Sequence, residues 1–161
     1  MKSYSQALKI LKKGKIIIED EYIKTSNSLK RVSAENIYSN SNYPLADNSS
    51  FDGFTIKSIE TKNLEKHNGR LFKILGSIAA GSKPRSKKIK RFQTYEIMTG
   101  GLLPKGFDTI IPIEQIVFHP NKKNPKFIFI NKKIKKYKNV RFKGSDYKKK
   151  DLLLKKGTVI R

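Results

Sequence analysis

At 161 residues the chain suits one domain, or one domain with a small appendage, and its 37% hydrophobic content is enough for a core and argues against wholesale disorder. No apolar run approaches the roughly 18 residues that span a bilayer, no signal-peptide h-region follows Met1, and the lack of cysteine excludes disulfides and thiolate metal sites. The formal net charge is +23, from 36 basic and 13 acidic residues.

The elements follow in chain order. Ser3-x-x-Gln6 has the form of a capping box, and Tyr4, Leu8 and Leu11 follow at helical spacing, so residues 4–13 are expected to form an amphipathic helix ending at Gly14. A helix this short must dock on something to persist. Ile16-Ile17-Ile18 is then a buried strand or a second packed segment. Leu29, Val32 and Ile37 suggest another short helix and a turn. Residues 40–50, broken by Pro44, read as an extended loop. Asp52-Gly53 is a turn dipeptide, after which Phe54-Thr55-Ile56 alternates as a strand.

Leu71 to Leu75 reads as a strand, followed by a tight passage at Ala79-Ala80-Gly81. Tyr95 to Met98 leads into the loop Thr99 to Gly106. Thr109 to Ile113 is a strand in which Pro112 demands an edge or bulge position, and Phe127 to Ile130 is another. Leu152-Leu153-Leu154 and Thr158-Val159-Ile160 close the chain as a hairpin-like pair. The Lys-rich stretches 132–138 and 148–156 carry interspersed apolar residues and resemble solvated strand faces. Short strands joined by Gly and Pro loops give an α+β, predominantly β fold.

The charge invites a polyanion partner. Yet 30 of the 36 basic residues are Lys, and Ile (20) far exceeds Ala (5), a pattern that favours compositional drift over a dedicated partner. Nucleic-acid surfaces lean on Arg, whose bidentate contacts Lys cannot supply. A small anionic substrate gains from the field in either case.

Three polar constellations could carry chemistry. Asp47 to Gly53 is dense in side-chain oxygens, though turns are made of the same residues. Met98-Thr99-Gly100-Gly101 offers a hydroxyl and glycine N–H groups that could approach an anion, without the P-loop spacing. Gly144-Ser145-Asp146 follows Asn139-Val140-Arg141 and sets a carboxylate among cations, where it could equally form a surface salt bridge. His67 and His119 lie far apart and lack zinc-ligand spacing.

In order, these pieces form a pattern. Residues 44–56 resemble "P-x-x-D-N-S-A-M-D-G-Y-A-V", Ile78 to Gly81 "I-x-A-G", residues 97–111 "I-M-T-G-A-P-L-P-x-G-A-D-A-V-V", and residues 139–146 "N-V-R-x-x-G-E-D". The chain thus resembles the N-terminal and linker region of the molybdopterin molybdenumtransferases, the MoeA type, also found as the E domain of gephyrin. Ser50, Phe51 and Ser145 depart from the pattern.

The resemblance implies a partial linker segment with the helix at residues 1–25, a β-rich domain at 26–139 and a return to the linker at 140–161, with the pterin-binding domain absent. It implies insertion of molybdate into adenylylated molybdopterin with release of AMP and a divalent cation, Mg2+, taking part. Asp52, Thr99 and Asp146 fall on catalytic positions, with Asp52 and Asp146 orienting Mg2+ or molybdate and Thr99 hydrogen-bonding an oxyanion. Ser49, Gly53, Gly100 and Gly101 are the expected substrate- and oxyanion-binding positions. The expected assembly is a cytoplasmic homodimer, or a complex with a polypeptide that carries the pterin domain. The rival readings are a basic nucleic-acid-binding module and an inactive interaction scaffold.

Overall fold

The computed structural model describes residues 3–14, 18–83 and 88–161. The chain divides into two compact units, residues 1–38 with 152–161, and residues 39–151. The resemblance had put the divisions at 25/26 and 139/140. No described helix is long and apolar enough to cross a membrane.

In the smaller unit, helix α1 spans Tyr4–Lys13. Its start is fixed by reciprocal caps: the Gln6 N–H donates to Ser3 Oγ at 3.4 Å and the Ser3 N–H donates to Gln6 Oε1 at 2.9 Å. Lys12 and Lys13 complement the negative end of the helix dipole. Gly14 ends the helix without a left-handed turn, its N–H shared between the carbonyls of Ile10 and Leu11. No residue of α1 is buried, so the docking expected of it is not seen within the chain. Of the Ile16-Ile17-Ile18 segment only Ile18 lies among the described residues, and it is exposed.

The rest of this unit corrects two expectations. After Leu29 there is no second α-helix; a 3-10 turn at Thr25–Asn27 precedes an extended run. Strand β1 (Ile37–Tyr38) pairs antiparallel with the last strand, β10 (Leu152–Leu154). Val32 bridges Val159, and Lys30 and Ile160 N–H groups donate to the Ile160 and Arg31 carbonyls, both at 2.8 Å. Gly157 does make the expected turn, at φ 82°. The segments on either side of it nevertheless pair with residues 30–38 rather than with each other. A local turn signal fixes where the chain bends, not which backbone satisfies the arms.

The larger unit holds a six-stranded sheet in the order β6-β3-β5-β4-β8-β7. Its strands are β3 (Gly53–Ile56), β4 (Arg70–Ile78), β5 (Gln93–Ile97), β6 (Thr109–Pro112), β7 (Val117–His119) and β8 (Phe127–Ile130). All neighbours are antiparallel except β4 and β5. Pro112, which lacks an N–H, lies on β6, an edge strand, as expected. Side chains are buried on both faces. Adjacent Ile110 and Ile111 enter different clusters, one with Tyr95, Ile97 and Phe107, the other with Phe54, Ile56, Phe72 and Ile128. Truncating a ring such as Phe54 to alanine costs about 3–5 kcal/mol in such a setting.

The β3–β5 ladder registers only at Gly53 and Phe54. Beyond it, buried threonines bridge the strands: Tyr95 N–H donates to Thr55 Oγ1 at 3.0 Å, and Thr94 Oγ1 donates to the Thr55 carbonyl at 2.8 Å. The 132–138 stretch is not a strand face. It runs in turns, and buried Ile134 donates its N–H to Thr61 Oγ1 at 2.9 Å. Two short strands, β2 (Asn48–Ser49) and β9 (Val140–Arg141), pair antiparallel beside the main sheet, and β2 interrupts what the sequence suggested was a plain loop.

Candidate functional site: an aspartate held by a threonine loop

All three polar constellations lie in the larger unit, and the backbone ties them together. The Ser49 N–H donates to the Gly101 carbonyl at 2.9 Å, and the Gly100 N–H returns to the Ser49 carbonyl at 2.8 Å. The Leu103 N–H reaches the Asp47 carbonyl at 2.9 Å, which closes the loop after β5 against β2. On the other side of β2, Ser49 faces Val140 and Asn48 faces Arg141 in register. The Lys143 N–H donates to Asp47 Oδ1 at 2.8 Å. Asp47 therefore organises both neighbouring segments, as turn-forming side chains do.

The glycines are places that a residue with a side chain would strain, by close contact at Gly53 and Gly101 and by backbone conformation at Gly100. A Cβ on Gly53 would sit 2.0 Å from the Ile111 carbonyl oxygen, because β3 runs close against β6. Gly53 is therefore not the turn glycine that the dipeptide Asp52-Gly53 suggested; it is the first residue of a buried strand. A Cβ on Gly101 would meet the Met98 carbonyl oxygen at 2.8 Å and Ile97 Cγ1 at 2.9 Å. Gly100 has φ 78°, which side-chain-bearing residues rarely adopt. The Gly101 N–H donates to the Met98 carbonyl at 2.8 Å, so the N–H groups of both loop glycines are engaged within the fold.

Asp52 and Thr99 meet at the end of this framework. Asp52 Oδ1 accepts the Thr99 N–H at 2.6 Å and the Thr99 hydroxyl at 2.7 Å. Both residues are exposed. These two donors, the backbone N–H above all, hold the Asp52 carboxyl below the usual carboxylate range. Both donors are neutral, so the full negative charge remains. Among the described residues no donor reaches Asp52 Oδ2.

Asp146 is arranged differently. Its Oδ2 accepts from Arg141, and its Oδ1 accepts the Ser145 hydroxyl at 3.2 Å. Arg141 lowers its carboxyl also, mainly through that hydrogen bond. The Arg141 guanidinium lies 5.4 Å from the centre of the Tyr43 ring, which itself stacks on Tyr147 at 5.5 Å. No hydrogen bond joins Asp146 to Asp52 or Thr99 among the described residues.

Arg141 was not singled out from the sequence, although it lies five residues from Asp146 in a chain with six arginines. Asn48 was also passed over. Its Oδ1 is the buried side-chain atom without a partner among the described residues, a condition that costs about 1–3 kcal/mol. The described residues contain no group of three or more His, Asp or Glu placed to hold a metal. Mg2+ does not require one, because it takes one or two carboxylates and completes its shell with water and substrate oxygens. Asp52 fits that role through its free oxygen, and the Thr99 hydroxyl oxygen keeps lone pairs beside it.

Fold and site together define a β-rich module that presents an exposed aspartate carboxylate held by the hydroxyl and N–H of a Thr-Gly-Gly loop. The chain belongs to the MoeA N-terminal region family, domains I and II, whose pattern it matches over residues 2–161. It is 32% identical over 141 residues to a molybdopterin molybdenumtransferase of Bacillus subtilis strain 168, covering 87% of this chain and 32% of that protein. A molybdopterin molybdenumtransferase of Staphylococcus aureus strain Mu50 is 33% identical over 133 residues, covering 83% and 30%. The crystal structure of the molybdopterin biosynthesis moeA protein from Pyrococcus horikoshii OT3 superposes with a TM-score of 0.85 at 27% identity, covering 98% of this chain and 40% of that one. The chain spans about a third of the length of the curated relatives it matches.

Proposed function

We propose that this chain acts in molybdenum cofactor biosynthesis, as the N-terminal part of a molybdopterin molybdenumtransferase. The reaction inserts molybdate into adenylylated molybdopterin and releases AMP. In that reaction this region would work together with a pterin-binding part of the enzyme. The observation that carries this reading is the pair of hydrogen bonds from Thr99 to Asp52, which joins the two sequence motifs into one exposed group.

The pair's chemistry refines the roles. A hydroxyl that donates to Asp52 cannot donate to an oxyanion at the same moment. With the Gly100 and Gly101 N–H groups also engaged, this loop offers lone pairs rather than donors. Asp52 Oδ2 and Thr99 Oγ1 would hold Mg2+, which when bound supplies charge neutralisation to phosphate and molybdate oxygens. Ser49, Gly53, Gly100 and Gly101 shape the loop and fix the direction of Asp52. Asp146 keeps Arg141 in place, and Arg141 is the group suited to meet an anion from the substrate.

The test mixes the chain with a polypeptide carrying the remaining family domains, adenylylated molybdopterin, molybdate and Mg2+, and follows AMP release. Release that requires this chain, and that falls steeply with Asp52→Asn, is expected. AMP release at the same rate without the chain, or undiminished in Asp52→Asn, overturns the reading.

A further inference from the structure

Away from the Asp52 loop, the larger unit carries a cleft of about 260 Å3 lined in part by Glu60, Lys62, His67, Arg70, Arg91 and Phe92. Its charge is lopsided. Glu60 is the lone acid of the lining, and both of its oxygens are occupied. Oε2 accepts the Phe92 N–H at 2.9 Å, and Oε1 lies 3.7 Å from Lys57 Nζ. Arg70 and Arg91 are exposed and enter no ion pair among the described residues.

Phe92 organises the cationic side. The guanidinium carbons of Arg70 and Arg91 each lie 5.0 Å from its ring centre. Two of the six arginines in a chain with 30 lysines thus share one aromatic ring. The topology explains the meeting: β4 begins at Arg70, Arg91 lies just before β5, and these two strands are parallel, so their starts lie side by side. The ring is firmly held. It packs edge-on against Phe72 at 5.5 Å, and the Phe92 carbonyl accepts the Lys73 N–H at 2.9 Å. The Phe92 backbone sits at φ 53°, a left-handed conformation that is rare for a bulky residue and that its two backbone hydrogen bonds maintain.

We infer that this cleft binds the dianionic phosphate group of a small molecule through Arg70 and Arg91, with Lys62 adding charge. With neither guanidinium engaged by a carboxylate among the described residues, their N–H forks are open, and such forks match phosphate oxygens in a way that ammonium groups do not. The cleft is smaller than the roughly 300–1,000 Å3 typical of drug-sized ligand pockets. It therefore suits inorganic phosphate or the phosphate end of a small ester rather than a whole nucleotide. The +23 field raises the local concentration of any such anion, but the field alone gives no preference for this place.

The test is a two-dimensional 1H–15N NMR titration of the full chain at constant ionic strength, with inorganic phosphate in one series and glycerol phosphate in another. Saturable shifts centred on the Arg91 and Phe92 amides and the start of β4 are expected. The double substitution Arg70→Gln with Arg91→Gln should weaken binding at least tenfold. Replacing the same two by lysine keeps the charge and should still weaken it at least threefold. Lys122→Gln with Lys123→Gln removes equal charge elsewhere and should change nothing.

Tighter glycerol phosphate than phosphate identifies an ester as the ligand, and equal affinities identify phosphate itself; both support the inference. Shifts centred on Thr99 to Gly101, or spread without saturation over surface lysines, overturn it and leave the proposed transferase role untouched. Phosphate binding weakened equally by the Lys122/Lys123 pair overturns it too, as does a short RNA that binds the arginine variant undiminished while phosphate leaves Phe92 unmoved. The wild-type shift map decides the matter even where a variant fails to fold.

Discussion

Asp52 and Asp146 are both exposed, and both carboxyls are held below the usual range, yet the causes are opposite in kind. Neutral donors on Thr99 stabilise Asp52 and leave its charge in place. A cation stabilises Asp146 and cancels its charge. The difference teaches that a lowered carboxyl is by itself no mark of a metal ligand. What matters is whether the negative charge is still available, and it is available at Asp52. At Asp146 the group with unused capacity is Arg141, whose remaining N–H donors can meet an anion.

The largest way to break this contrast is to move the framework under Asp52. Gly53→Ala places a methyl carbon 2.0 Å from the Ile111 carbonyl oxygen on a strand paired on both sides. Backbone must shift, and we expect a loss of about 3 kcal/mol, read as a lower urea midpoint. An unchanged midpoint would show that β3 and β6 are not held as closely as described. Next in size are the two aspartates in the AMP-release assay. Asp52→Asn should keep the fold, since an amide oxygen still accepts from Thr99, and reduce turnover about a hundredfold, the scale for loss of a charge-stabilising group. Asp146→Asn should cost about tenfold, the scale for a group that positions another. Equal losses would erase the distinction drawn between them.

That distinction was only partly legible in the sequence. Much of the main sheet was, because alternation and β-branched runs report burial directly, as at Phe54 to Ile56 and Phe127 to Ile130, whereas the short, largely exposed β7 at Val117–His119 gave no such signal and was missed. The helix at 4–13 was, because its cap lies within four residues of its start. Pairing was not. Nothing local tells Leu152 to Leu154 to join residues 37–38, or tells 132–138 to turn and bury Ile134. The same limit applies to the site. Asp52, Thr99 and Asp146 stood out through a family pattern, whereas composition alone favoured plain turns. The bond from Thr99 to Asp52 spans 47 positions and the Lys143 contact with Asp47 spans 96. Only the folded chain shows that Arg141 accompanies Asp146, that the loop glycines use their own N–H groups, and that Gly53 is a packing residue.

The finest test of the contrast is by titration. NMR of the side-chain carboxyls should place both Asp52 and Asp146 below the ordinary carboxylate value. Because each folded-state value lies below the unfolded one, the stability each group contributes is present above the unfolded value and is lost as pH falls through the folded one. Thr99→Val removes the hydroxyl donor but not the N–H, so Asp52 should rise part of the way toward the ordinary value while Asp146 stays put. Arg141→Gln should do the reverse. Salt then separates the two without any substitution. At about 1 M the screening length falls to about 3 Å, which weakens the exposed ion pair at Asp146 and raises its carboxyl. The Asp52 carboxyl is held by short bonds to neutral groups, over which screening has little influence, and should move less. If salt moves the two together, Asp52 is being held by the general positive field of the chain, and its claim to an uncompensated charge fails.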